Sequence, residues 1–517
     1  MRRSPFLLFA ALAACTTFDG LIAESSSQGI GPGGNPNGAD NGAGCAVNFD
    51  CKSGQCSGGI CGASPKACAA GPDCPSGVCK DGSCANPTST DGVKNADESD
   101  VDCGGTQTMA PKCTPGKGCG SGKDCDSEVC TGGQCQAPTG TDATKNGDES
   151  DVDCGGKTTN APRCAVGKKC LAHEDCATDG CDDTKTCAAG RSCTQLEGGR
   201  TCGEGGKLES CCGALPIPGG ATKLDKFKVT AGRMRAFVER TNGNVLGWYE
   251  ANKAKLPQVA QDQIEGFKQF LPTDKLGQPY GTEYHLGGTI YLPQRPSPVQ
   301  GCFVGNANNV ANGAHTYFNG ALEGEDRAFD QKFLDQLPLN CVTYPLAAAF
   351  CAWDGGRLQT FDENSAAFGP GPYPWGANPE AGGYAVVGGV FQKVGPARTG
   401  STQPCPTCSD TALAWRNNYQ NPQGGSATKP WDYAYWISAP GRFPMDKGAG
   451  GHMDIGGLMM ELTATQMGVD NTADGGNQAK VKWSRAGSWE GHSVGYPDFA
   501  FSVMTKYGKT GLRCARD

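Results

Sequence analysis

Cys45, Cys51, Cys56 and Cys61 are spaced C-x5-C-x4-C-x4-C, and the spacing returns at Cys68, Cys74, Cys79 and Cys84 and again at Cys119, Cys125, Cys130 and Cys135. Cys170, Cys176, Cys181 and Cys187 repeat it with one extra residue in the last gap. Thiols at fixed spacing can cross-link, bind a soft metal or exchange electrons. A zinc site needs C-x2-C pairs and a compartment that keeps thiols reduced. The array lacks the first, and its cysteine density argues against the second. Structural disulfides are therefore expected, with their pairing left open.

Carboxylates form the second candidate chemistry. NADESDVDCGG and NGDESDVDCGG lie between modules and place Asp97, Glu98, Asp100 and Asp102, then Asp148, Glu149, Asp151 and Asp153, on glycine-bearing loops. Such loops suit Ca²⁺, a hard cation that takes about six to eight oxygens. The spacing departs from the EF-hand pattern, and a solvated acidic loop is the plainer reading. Asp97, Asp100, Asp102, Asp148, Asp151 and Asp153 are carried as candidate calcium ligands.

The elements that hold these residues follow from composition. Cys103 and Cys154 are 51 residues apart, as are Cys119 and Cys170, so residues 45–193 form a repeat array. Each module is too small to bury a core unaided. Cross-links must hold it, each contributing about 3 kcal/mol for a loop of about 15 residues. With 31 cysteines and 37% hydrophobic residues the chain belongs outside the cytosol. A net charge of −8 argues against nucleic acid as a partner.

The opening MRRSPFLLFAALAAC has two arginines, an apolar run and small residues before Cys15. It is similar to a bacterial lipobox, with residues 1–14 as signal peptide and Cys15 as the lipidated mature N-terminus. Setting Cys15 aside leaves an even thirty cysteines. No later apolar run is long enough to span a bilayer, so the expected membrane contact is a lipid anchor at the outer membrane or cell surface. Residues 15–44 read as a flexible tether, 194–214 as a cysteine-dense junction and 215–517 as one globular domain. The array resembles the tandem cysteine-rich stalks of large secreted myxobacterial proteins.

Within the globular domain, KLDKFKVT reads as a strand ending at Thr230, which caps a helix through AGRMRAFVERT. Met234, Phe237 and Val238 share one face of that helix, and Asn242-Gly243 stops it. Thr343 is placed to cap a second helix with Pro345 in its first turn, ended by Gly355-Gly356. Thr360 and Glu363 make a capping box for a third. YPWG follows at 373–376, GGLMMEL at 456–462, Arg485-Ala486-Gly487-Ser488-Trp489 near the end and Gly511-Leu512-Arg513-Cys514-Ala515 in the tail.

In that order these blocks resemble the formylglycine-generating enzyme, or sulfatase-modifying-factor, family. The resemblance implies an α+β, C-type-lectin-like fold with low regular secondary structure. It also implies a Cu(I)-binding cysteine pair after the Gly-Ser-Trp turn, which thiolates suit. Here those positions hold Gly491 and Tyr496, and a tryptophan position holds Met460. Ser488 is retained, but no catalytic residue is assigned and copper is not expected. His492 is one of five histidines and reads as a surface or packing residue. Cys405-Pro-Thr-Cys408 has redox spacing but no βαβ context, and reads as structural.

The same resemblance implies a calcium site at Asp454, Gly457, Met459 and Glu461, and a Cys351–Cys514 disulfide. The family's second calcium site has Val386 at its first position, whose side chain supplies no oxygen. The expected function is a lipid-anchored extracytoplasmic protein whose domain has lost copper oxidase chemistry. It would act in binding, to a peptide or glycan, or as a structural surface module. The rival is an oxidoreductase with non-standard metal ligands.

Overall fold

The computed structural model describes residues 67–203, 208–275, 330–371 and 446–470 continuously, and shorter stretches at 37–39, 43–46, 48–52, 56–57, 60–62, 282–287, 289–290, 303–304, 315–318, 374, 384–387, 390–393, 437, 439–441, 478–484, 500–508 and 510–517. Contacts divide the chain into two compact units, residues 1–146 and 147–517.

In the first unit the cysteine spacing becomes one repeated fold. A single 3₁₀ turn, such as Gly71–Asp73 or Gly122–Asp124, precedes the second cysteine of a module. A two-residue hairpin, Cys79–Lys80 against Ser83–Cys84 or Cys130–Thr131 against Gln134–Cys135, carries the third and fourth. The disulfides join first to third and second to fourth: Cys45–Cys56 with Cys51–Cys61, Cys68–Cys79 with Cys74–Cys84, and Cys119–Cys130 with Cys125–Cys135. Cys103–Cys113 closes the acidic motif separately. Buried cystines, not aliphatic side chains, make up the interior at Cys103, Cys113, Cys125 and Cys135.

An aspartate directly before each second cysteine organises the turn. Asp73 accepts the Ala69 and Ala70 amides at 2.8 and 2.9 Å, and Asp124 accepts those of Gly120 and Ser121 at the same distances. Asp50 does the same for Ala46 at 2.8 Å. Such turns satisfy backbone N–H groups that a module without helices or long strands would otherwise leave exposed or unpaired.

The second unit begins with one more module. Cys154–Cys164, Cys170–Cys181 and Cys176–Cys187 follow the same pairing, and Cys193–Cys212 and Cys202–Cys211 brace the chain after it. A mixed α/β domain with little regular structure completes the unit. Its core is the helix Tyr344–Trp353, every residue of which is buried. Against it pack the helices Ala231–Arg240, Val245–Asn252 and Gln258–Glu265. Phe237 meets Trp353, Phe350 and Trp248 at ring-centroid distances of 5.1, 5.9 and 5.9 Å.

Two four-stranded sheets flank this core. One runs Arg357–Leu358, Cys514–Arg516, Lys223–Asp225, Ala214–Pro216, with antiparallel neighbours throughout. The other runs Ala500–Ser502, Gln478–Trp483, Met460–Asp470, Thr510–Gly511, its last pair parallel. The Lys223 strand ends at Asp225 rather than reaching Thr230, because the backbone leaves the sheet. Val229 then donates its amide to Leu512 and receives that of Leu339 at 3.0 and 2.8 Å.

Helix ends match the local signals closely. Thr230 accepts the Arg233 amide, Asn242 and Gly243 turn left-handed at φ 50° and 72°, and Thr360 and Glu363 form a reciprocal capping box. Thr343 differs. It stands at the N-cap of Tyr344–Trp353, but its hydroxyl lies 2.7 Å from His285 Nδ1 instead of capping the helix. Cys351 in this helix is joined to Cys514 in the tail strand, a link across 163 residues.

Candidate functional site: a buried charge cluster behind a cavity

The turn Asp454–Met459 and the start of the strand Met460–Asp470 carry a buried cluster of charged and polar side chains. Two non-glycine residues of the turn are left-handed, Asp454 at φ 57° and Leu458 at φ 66°. For leucine such a conformation costs of order 1–3 kcal/mol and persists only where the surroundings enforce it. Asp446 does part of that enforcing. It accepts the Gly456 amide on Oδ1 at 2.8 Å and the Asp454 amide on its carbonyl at 2.7 Å. Gly456 admits no side chain, since a Cβ there would stand 2.8 Å from that Oδ1.

Glu461 is the hub, fully buried. Its Oε1 accepts Lys228 Nζ at 2.5 Å and Arg513 Nη2 at 3.0 Å. Its Oε2 accepts Gln359 Nε2 at 2.6 Å and Asn364 Nδ2 at 3.0 Å. Lys228 also donates to the Met459 carbonyl at 2.8 Å. Arg513 reaches on to the Asp225, Lys226 and Met453 carbonyls at 2.8, 2.7 and 2.8 Å. Burial alone would raise the Glu461 carboxyl, but Arg513 and then Lys228 override it and hold it down at about 2. Burial lowers the Lys228 ammonium from the usual lysine range, with Glu461 acting against that shift. Burial, reinforced by Asp446, pushes Asp454 up to about 7; its Oδ2 accepts the Gly441 amide at 2.5 Å, and its Oδ1 is buried without a hydrogen-bond partner.

The residues named for calcium therefore do come together. Apart from Asp454 Oδ1, however, their oxygens are already engaged: Met459 and Glu461 by Lys228, Asp454 Oδ2 by the Gly441 amide, and the Gly457 carbonyl by the Met459 amide at 2.8 Å. Two cations already sit on Glu461, and a further unit charge about 4 Å from either would cost about 4 kcal/mol at an effective dielectric of about 20. The donor set does not fit a divalent ion. Val386, named for the second site, lies in the strand Tyr384–Val387, paired with Phe391.

In the acidic motifs the carboxylates turn to their own backbone. Asp97 accepts the Thr106 and Gln107 amides at 2.7 and 3.0 Å, and Asp148 those of Lys157 and Thr158 at 2.6 and 3.0 Å. Asp100 takes the Val101 and Gly118 amides, Asp151 those of Val152 and Lys169, and Asp102 that of Gly92. Asp102 and Asp153 are left-handed at φ 56° and 54°. The Thr158 hydroxyl and the Lys157 amide hold Asp148 down at about 2. Among the described residues, groups of three or more close metal-type ligands consist of cysteines alone, and all of those are in disulfides.

A cavity of about 420 Å³ opens between Lys226, Phe227, Lys447 and Met453, with Glu209 also in its wall. Arg513 binds the carbonyls of two of these, so the buried cluster fixes the cavity wall. Lys226 pairs with Glu209 at 2.6 Å and stands 5.0 Å above the Phe227 ring. Nothing in the sequence marked Lys228 or this cavity; alternation would turn a lysine between Phe227 and Val229 outward, whereas all three are fully buried here.

Cys15, Ser488, Gly491, Tyr496, His492, Cys405 and Cys408 lie outside the described residues. No helix among the described residues is long and apolar enough to cross a membrane. The sequence matches no protein-family model and no curated protein. Among solved structures it is similar to PvdO from Pseudomonas aeruginosa, at 16% identity and a TM-score of 0.25, over 57% of this chain and 80% of that one.

Proposed function

We propose that this chain is a lipid-anchored extracytoplasmic protein whose disulfide modules carry a domain of the formylglycine-generating-enzyme type, C-type-lectin-like in fold, that has lost copper oxidase chemistry and acts in binding. The observation that carries the reading is the cysteine inventory. Every described cysteine is in a disulfide, most of them in modules held by cystines, which is a structure for an oxidising compartment. Gly491 and Tyr496 supply no soft donor pair where the resembled family places its copper thiolates. The cavity between Lys226, Lys447 and Phe227 is where a ligand is sought. Lys447, the Lys226–Glu209 pair and the Phe227 ring offer a peptide or glycan both charged and apolar contacts.

The test incubates purified protein with Cu(I), oxygen and a Cys-x-Pro-x-Arg peptide and follows the peptide mass. No formylglycine is expected; turnover above that of free copper would overturn the reading. Radiolabelled fatty acid incorporated into the wild type and lost in Cys15→Ala would establish the anchor, and unlabelled wild type would remove it.

A further inference from the structure

We propose that the buried ammonium of Lys228 is the resident cation of the oxygen cluster at Asp454–Glu461, a tethered positive charge in the place of a bound divalent ion. Lys228 is fully buried, and its Nζ lies 2.8 Å from the Met459 carbonyl and 2.5 Å from Glu461 Oε1. Those are two of the oxygens that the family resemblance assigns to calcium, and the ammonium holds both at charge-assisted hydrogen-bond distance. Asp454 adds its field to the same ammonium. An ammonium is a compact point charge with three donors, so it can bridge a carbonyl and a carboxylate as a small ion does. Calcium would have to displace Nζ from both oxygens and share Glu461 with Arg513, which donates to it at 3.0 Å. The ammonium instead arrives with the chain, from the segment just before the helix Ala231–Arg240, and joins that segment to the strand Met460–Asp470.

Two consequences follow for the domain. Its turn is held without metal, so its folding and its cavity are indifferent to calcium supply. Removing the amine while leaving the oxygens turns a metal-independent site into a metal-responsive one. This inference goes beyond the loss of copper chemistry and shares no residue with it, so either can fail alone.

The experiment compares wild type with Lys228→Ala, both as full-length protein treated with EGTA and desalted. Wild type is expected to carry substoichiometric calcium by elemental analysis and to melt at the same temperature in EGTA and in millimolar CaCl₂. Lys228→Ala is expected to melt lower in EGTA and to recover on adding calcium. Lys228→Met, which refills the space with an uncharged chain, is expected to melt lower without recovery. Stoichiometric calcium or a calcium-dependent melt in wild type would overturn the proposal. So would a Lys228→Ala protein that folds yet ignores calcium. Should that variant not accumulate, the wild-type calcium content and melt decide.

Discussion

Replacing Asp354 by Asn removes one charge from a buried salt-bridge node that joins two arginines of the second unit. Asp354 follows the helix Tyr344–Trp353 and is almost fully buried. Its Oδ2 accepts Arg233 Nη2 at 2.8 Å and Arg516 Nη2 at 2.7 Å, and its Oδ1 accepts the Ser192 amide at 2.9 Å. Burial would raise this carboxyl; Arg516 and Arg233 outweigh it and hold it at about 2 instead of 3.8. That difference corresponds to about 2.5 kcal/mol of stability at neutral pH. Breaking a buried pair outright costs about 3–5 kcal/mol. Asparagine keeps the shape and one acceptor, so the expected loss is about 2–4 kcal/mol. Because the folded pKa is depressed, the contribution is complete above about pH 4 and fades as pH falls towards 2. All eight tryptophans lie at or beyond Trp248, so their fluorescence in a urea titration reports this unit alone. The wild-type advantage should be constant from pH 7 to 5 and shrink below pH 4. A loss under about 1 kcal/mol at pH 7 would refute the reasoning, because two buried guanidinium groups would then be indifferent to their shared carboxylate.

His285 gives the opposite probe of acid sensitivity: burial and then nearby Lys506 lower it to about 3, so the folded protein holds it neutral. Stability should fall as pH drops below 6.5, by about 2 kcal/mol at pH 5 from this residue, and His285→Gln should flatten that slope in urea titrations. The double variant Cys351→Ala/Cys514→Ala opens a link across 163 residues and should cost about 2–5 kcal/mol by the same assay. Both cysteines are fully buried, so dithiothreitol should leave this bond intact until the unit unfolds. A fragment of residues 147–517 should be protease-resistant and 215–517 should not. The shorter one lacks Ser192 and the Cys211 carbonyl that Arg233 holds at 2.9 and 3.0 Å, and the Gly198 carbonyl bound by Thr230.

Local signals were legible where one residue acts on its neighbours. Thr230, the Thr360–Glu363 box and Asn242-Gly243 mark helix ends by short-range hydrogen bonds and backbone sterics, and these do not depend on the rest of the fold. Cysteine spacing showed the modules, but equal spacing is compatible with several pairings, and only three-dimensional proximity selects first to third and second to fourth. The aspartate before each second cysteine was visible in all four modules, and its regularity is the signal for the amide-capping turn. Composition thins out in cysteine after residue 214, yet contacts divide the chain at 146. The last module joins the domain through charges that composition does not reveal. Asp179 pairs with Arg191 and Arg240, both of which stand over the Trp353 ring at 5.5 and 5.4 Å.

The buried cations of the second unit share a task that explains why so many are present. A domain with short strands and long irregular stretches leaves carbonyls that no helix or ladder satisfies, and a buried unsatisfied carbonyl is costly. Arginine brings five donors and lysine three. Arg513 serves the Asp225, Lys226 and Met453 carbonyls, Arg191 that of Trp353, Arg516 that of Asp354, and Lys506 that of Gly287. Each cation tethers a turn to an element distant in sequence, and the carboxylates Glu461, Asp225 and Asp354 offset much of the charge this places in the interior. Lys228 belongs to that set: its donation to the Met459 carbonyl is the same device used where a strained turn meets a strand. A fold held this way needs its cations within the chain, since an ion drawn from solution would make every such turn depend on supply. The same logic puts these residues, rather than aliphatic ones, among the positions most sensitive to substitution.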